Sequence, residues 1–67
     1  MAPRERMAAK IKRLRERRGL TQHELAEKAG IGRSYLARLE TARQDPTLST
    51  LEKIAKALRV KVAKLLE

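Results

Sequence analysis

The tightest constraint on the fold lies in residues 19–32. Thr21-Gln22-His23-Glu24 reads as a capping box. In this motif the threonine hydroxyl accepts from the amide of Glu24, and the Glu24 carboxylate reaches back to the amide of Thr21. Leu20 before the cap and Leu25 at the fourth helical position form a hydrophobic staple that fixes the angle at which the chain enters the helix. Gly30 then offers a left-handed stop. A helix over 22–29, about two turns long, is therefore expected. The next helix follows at once, with Gly32 in the cap position and Ile31 and Leu36 repeating the staple spacing.

Two short helices joined by a tight glycine-containing turn form a helix-turn-helix. In the second helix Leu36 and Leu39 point inward, while Arg33, Ser34, Ala37 and Arg38 point outward. Small Ala26 suits close approach of the two helices.

The flanking segments complete a core. Helix one is expected over 4–18, with Pro3 tolerated in its first turn and Gly19 as its stop. Met7, Ile11, Leu14 and the stem of Arg18 share one of its faces. Residues 41–46 read as a loop ended by Pro46. Helix four is capped by Thr47 or, through Ser49-x-x-Glu52, by Ser49. Its inward face is Leu48, Leu51, Ile54, Ala55 and Leu58. After Arg59-Val60 a last helix of about two turns carries Val62, Leu65 and Leu66, without a good cap. Only five β-branched aliphatics occur, against ten leucines and ten alanines, and that balance favours helix throughout. The expectation is all-α: a compact five-helix domain spanning 1–67, with residues 1–5 as an arm.

Composition narrows the function. The net charge is +9, which points to a polyanionic partner. Tyr35 is the only aromatic residue, and this argues against readers that stack single-stranded bases on aromatic platforms. Double-stranded nucleic acid, or an anionic surface in general, is left as the leading partner. No apolar run is long enough for a membrane span or a signal-peptide core. Without cysteine there is neither a disulfide framework nor a thiolate-bound zinc. His23, the lone histidine, lacks partners for a metal site and reads as helix surface. No catalytic constellation or phosphate-cradling glycine loop is present. Neither an enzyme nor a cofactor, metal or small-molecule ligand is expected.

The placement of the charge is as informative as its size. Residues 1–18 hold eight bases and two acids, 19–46 hold four of each, and 47–67 hold five bases and two acids. The excess therefore lies outside the two short helices. Arg33 is the exception in kind: a cation in the first turn opposes the helix dipole, so a ligand explains it better than stability does.

Leu14-Arg15-x-x-Arg18-Gly19-Leu20-Thr21-Gln22-x-Glu24-Leu25-Ala26, with Gly30-Ile31, Leu36-x-x-Leu39-Glu40, Arg43-x-x-Pro46 and Leu51-x-x-Ile54-Ala55-x-x-Leu58-x-Val60, resembles the Cro/CI-type (Xre-type) helix-turn-helix domain of phage repressors and bacterial regulators. The resemblance covers residues 7–66 and implies the lambda-repressor-like fold, with helices two and three as the motif. It implies a phosphate contact for Gln22 and base reading by Arg33, Ser34, Ala37 and Arg38 in the major groove. Each arginine suits the O6 and N7 of a guanine. Phosphate grip falls to Arg43 and Gln44, and a structural ion pair to Arg15 and Glu40. Tyr35 reads either as a phosphate donor or as cover for the edge of the core. Val62 and Leu66 are candidates for a dimer seam, or are apolar residues without a partner.

Two positions depart from the family pattern. Ala42 stands where relatives usually have a glycine of positive φ, at a cost of about 1 kcal/mol if alanine is held there; a loop of different shape is the alternative. Gly32 stands where relatives favour Ser, Thr or Asp.

The function implied is a sequence-specific regulator of transcription, a repressor, that binds a palindromic operator as a homodimer through the helical domain itself. The implied location is the cytoplasm, at the nucleoid. The alternative is an antitoxin or coactivator-like interaction module on the same fold.

Overall fold

A computed structural model describes residues 3–67, and residues 1 and 2 of the expected arm lie outside it. Five helices follow in order: α1 (Pro3–Arg17), α2 (Gln22–Ala29), α3 (Arg33–Glu40), α4 (Leu48–Leu58) and α5 (Val62–Leu66). The described residues contain no strand, so the domain is all-α. No helix is long and apolar enough to cross a membrane among the described residues.

One core holds the helices together. α2 packs against α3 and α4, α1 against α3 and α5, and α4 against α5. The largest fully buried side chains, Ile11, Leu25, Leu36, Ile54, Leu58 and Leu65, come from all five helices. Each such aliphatic contributes roughly 1.5–3 kcal/mol on burial, so no helix is stable without its neighbours. Ala26, Ala29 and Ala55 are also buried, and their small side chains let helix axes approach closely.

Every helix from α1 to α4 closes in the same way. The chain turns left-handed and two amides donate back into the last turn: Leu20 N to Arg15 O, Ile31 N to Ala26 O, Arg43 N to Arg38 O and Val60 N to Ala55 O, at 2.9–3.1 Å. This double closure satisfies carbonyls that a helix end would otherwise leave unpaired. Gly19 (φ 69) and Gly30 (φ 70) adopt the left-handed conformation freely. Ala42 (φ 61) and Arg59 (φ 60) adopt it against the steric cost of a Cβ, about 1 kcal/mol each. The Ala42 loop therefore keeps the shape that glycine would give it.

Several sequence expectations change. α1 starts at Pro3, so residues 3–5 are its first turn rather than an arm, and Arg18 lies beyond its end and is exposed. Arg18 is thus no part of the buried face; Ala8 and Arg15 are. Thr47, not Ser49, caps α4, its side chain accepting from the amide of Thr50. Leu48 is not inward but 60 % exposed, because the first turn of α4 projects past the core that Leu51 enters. α5 is five residues long rather than two turns. It buries Leu65, with Val62 packed partly against the core and Leu66 exposed.

Candidate nucleic-acid interface

α2 is fixed at its start by the capping box. The amide of Glu24 donates to the Thr21 hydroxyl at 3.0 Å, and the amide of Thr21 donates to Glu24 Oε1 at 2.8 Å. The backbone hydrogen bond from Thr21 holds the Glu24 carboxyl below its ordinary range, helped by the Thr21 side chain and the charges of Lys28 and His23, against a smaller desolvation cost.

Under α2 and α3 lies a buried ion pair. Arg15 donates through Nε to Glu40 Oε2 at 2.7 Å and through Nη2 to Glu40 Oε1 at 3.0 Å, and its Nη1 donates to the carbonyl of Leu20 at 2.8 Å. The fork geometry matches carboxylate with both oxygens engaged. The hydrogen bond to Glu40 raises the already high pKa of Arg15. Gln22 Nε2 adds a further donor to Glu40 Oε1 at 3.0 Å. One carboxylate at the end of α3 thereby anchors α1 and the first residue of α2, while the same Arg15 also holds the turn before α2. Gln22 is half-buried and already tied down on one side of its amide, a partnership that nothing in its local sequence signals.

α3 starts differently. Gly32 occupies its cap position in an extended conformation (φ −71, ψ 143) and no side chain accepts from the first amides of the helix. Arg33 and Ser34 stand exposed at this open end, with Arg38 exposed one turn on and Ala37 half-buried between. Neither Arg33 nor Arg43 has a side-chain hydrogen bond or ion pair among the described residues. Arg38 Nε makes a long contact, 3.4 Å, to Gln44 Oε1. Tyr35 is half-buried and packed against the core.

The loop after α3 is held at both ends. The Thr41 hydroxyl donates back to the carbonyls of Ala37 and Arg38 at 3.2 Å. Farther on, Asp45 receives both Nη2 and Nε of Arg4, at 2.7 and 2.6 Å. Between these ties left-handed Ala42 turns the chain so that Arg43 stands exposed. The pairing of Arg4 with Asp45 joins residues 41 apart and has no sequence signature. Val62 and Leu66, the seam candidates, lie on α5; Leu66 at 59 % exposure is, with Leu48, one of the two exposed large hydrophobics among the described residues.

The comparisons agree with the fold. The chain is 54 % identical over 54 residues to the immunity repressor protein of Bacillus phage phi105, a match covering 81 % of this chain and 38 % of that protein. The chain thus spans well under half the length of that relative. Among solved structures, the hypothetical transcription factor NHTF from Neisseria superposes with a TM-score of 0.94 at 35 % identity, covering 98 % of this chain and 76 % of that one. The biofilm master regulator SinR, solved in complex with DNA, superposes with a TM-score of 0.88 at 40 % identity, covering 91 % of this chain and 98 % of that one. The family described as Helix-turn-helix (HTH_3) matches residues 11–65, most of the chain. This chain therefore belongs to the HTH_3 helix-turn-helix family.

Proposed function

We propose that this domain binds double-stranded DNA in a sequence-specific manner and regulates transcription as a repressor, with α3 in the major groove. The observation that carries the reading is the open start of α3. Exposed Arg33 and Ser34 stand at a helix end whose amides no side chain caps, and exposed Arg38 stands five residues on, in the last turn of the same helix. A fork of guanidinium donors at that position matches the O6 and N7 of guanine. The amides of α2 that the capping box leaves free and the second N–H of the Gln22 side-chain amide suit phosphate, as do Arg43 and Gln44 beyond α3. Likeness to a phage immunity repressor and to a regulator solved on DNA supports the same reading.

Two copies on a palindromic operator would present α3 to half-sites about 34–36 Å apart, with Leu66 and the edge of Val62 as the seam between them. The role is binding rather than catalysis, in the cytoplasm at the nucleoid. Selection of bound duplexes from a random library tests it: one palindromic sequence is enriched by the wild-type chain, and Arg33→Ala and Arg38→Ala each relax preference at one base pair per half-site. Unchanged preference in both variants would show that α3 is not the reading helix.

A further inference from the structure

Residues 19–46 are electrically balanced, yet the chain carries +9. Five cations, four of them outside that segment, line two adjoining grooves where α1, α2 and α4 end. Arg18, Lys28 and Arg59 line one with Leu20 and Ala57; Lys28, Lys53, Lys56 and Arg59 line the other with Ala29, Gly30 and Ala57. The shared residues make one continuous trough, and no carboxylate lines it. All five cations are exposed, and none makes an ion pair among the described residues.

Helix ends attract bases for local reasons, but the magnitudes do not balance. A helix C-terminus carries roughly half a negative charge. Three of them offset about 1.5 of the five positive charges, and Glu24, which feels the charge of Lys28, offsets up to one more, leaving roughly +2.5 unmet. Arg59 makes the point at a single residue. It holds the left-handed conformation that glycine takes at 19 and 30, and its side chain makes no hydrogen bond among the described residues.

We propose that this trough is a second, sequence-independent nucleic-acid site, which holds the phosphate backbone of a duplex segment other than the one presented to α3. None of Gln22, Arg33, Ser34, Ala37, Arg38 or Arg43 lines it, so the two sites do not share residues. The lining selects the class of partner. Its apolar members are half-buried Leu20 and small alanines, without the aromatic or large aliphatic anchor that centres a specific protein interface. Phosphates need only cations and the release of counterions. No side-chain amide or hydroxyl lines the trough to read base edges. Two separate DNA-binding faces let one domain hold two duplex segments together.

The test begins with the full chain carrying Arg33→Ala and Arg38→Ala, which removes the cations of α3, titrated with a short duplex of random sequence at low salt. Saturable amide NMR shifts are expected at Lys28, Gly30, Lys53, Lys56 and Arg59. In that background Lys53→Gln, Lys56→Gln and Arg59→Gln together lower the slope of log affinity against log salt by about 2–3. A charge-matched set on α1 (Lys12→Gln, Arg13→Gln and Arg17→Gln) leaves the trough shifts in place and lowers the slope less. Shifts confined to α3, or equal slope losses in the two sets, overturn the proposal. So does a polyglutamate peptide that moves the trough amides at a salt concentration where the duplex does not, since the occupant is then an acidic protein. Because the α3 cations are absent throughout, loss of operator preference by α3 and loss of this site are read separately.

Discussion

α2 and α3 have the same length, eight residues each, yet are finished in opposite ways. α2 starts with a complete capping box and ends at a glycine free to turn left-handed. α3 starts at a glycine that caps nothing, places a cation against its own dipole, and closes through an alanine held at φ 61. The staple and the closing hydrogen bonds are shared, but the N-terminal cap is missing in α3 and its left-handed stop is strained. The difference separates two tasks. α2 is built to hold a position, whereas α3 leaves its first amides and first-turn side chains unengaged, available to a ligand. What keeps α3 in place is tertiary: Leu36 and Leu39 in the core, and Glu40 in the grip of Arg15 and Gln22.

The largest effect of this division comes from the tertiary anchor. Glu40→Ala leaves the Arg15 guanidinium largely buried without its partner and should cost about 3–5 kcal/mol, read as a lower urea midpoint and increased amide exchange in both α2 and α3. Glu40→Gln, which keeps an acceptor but loses the charge, should cost less. Arg33→Ala should separate function from stability: about 1–3 kcal/mol lost in operator binding at an unchanged or slightly raised melting temperature. A comparable loss of folding stability would mean that the α3 start is structural after all.

The local terms come next. Thr21→Ala removes the cap of α2 at a cost of about 1 kcal/mol, visible in thermal denaturation. The same capping box makes a pH prediction. The Glu24 pKa is lower in the folded chain than in the unfolded one, so its contribution is present above the ordinary carboxylate pKa and fades as pH falls through the depressed value. The gap in stability between wild type and Glu24→Gln should narrow on acidification. Ala42→Gly relieves left-handed strain at the end of α3 and should stabilise by about 0.5–1 kcal/mol. Gly32→Ser supplies the missing cap and should add a few tenths of a kcal/mol; if it weakens operator binding as well, the open start of α3 has a functional reason.

Legibility followed the range of the interaction. The boundaries of α2 and the start of α3 could be read because the box, the staple and the glycine stops all act within a few residues. Leu48 departs from its expected burial for a geometric reason. It lies on the same stripe as Leu51 and Leu58, and periodicity states which residues share a face but not how far along the helix a neighbour extends. The stem of Arg18 failed likewise, one step past the end of α1. The Val62 and Leu66 pair was only partly separable, since five residues are too few to define a face.

The sequence by itself determined five helices, the caps of α2, the near-neutral motif inside a basic chain, and the arginine at the start of α3. These are local terms of chain stereochemistry and composition, complete within one or two turns. Only the tertiary structure decided that Gln22 meets Glu40 across 18 positions, that Arg4 clasps Asp45 across 41, and that the ends of α1, α2 and α4 gather five cations into one trough. It also decided the backbone at Ala42 and Arg59. A residue preference of about 1 kcal/mol yields there to the packing on either side of the turn, where each buried aliphatic is worth more than the strain.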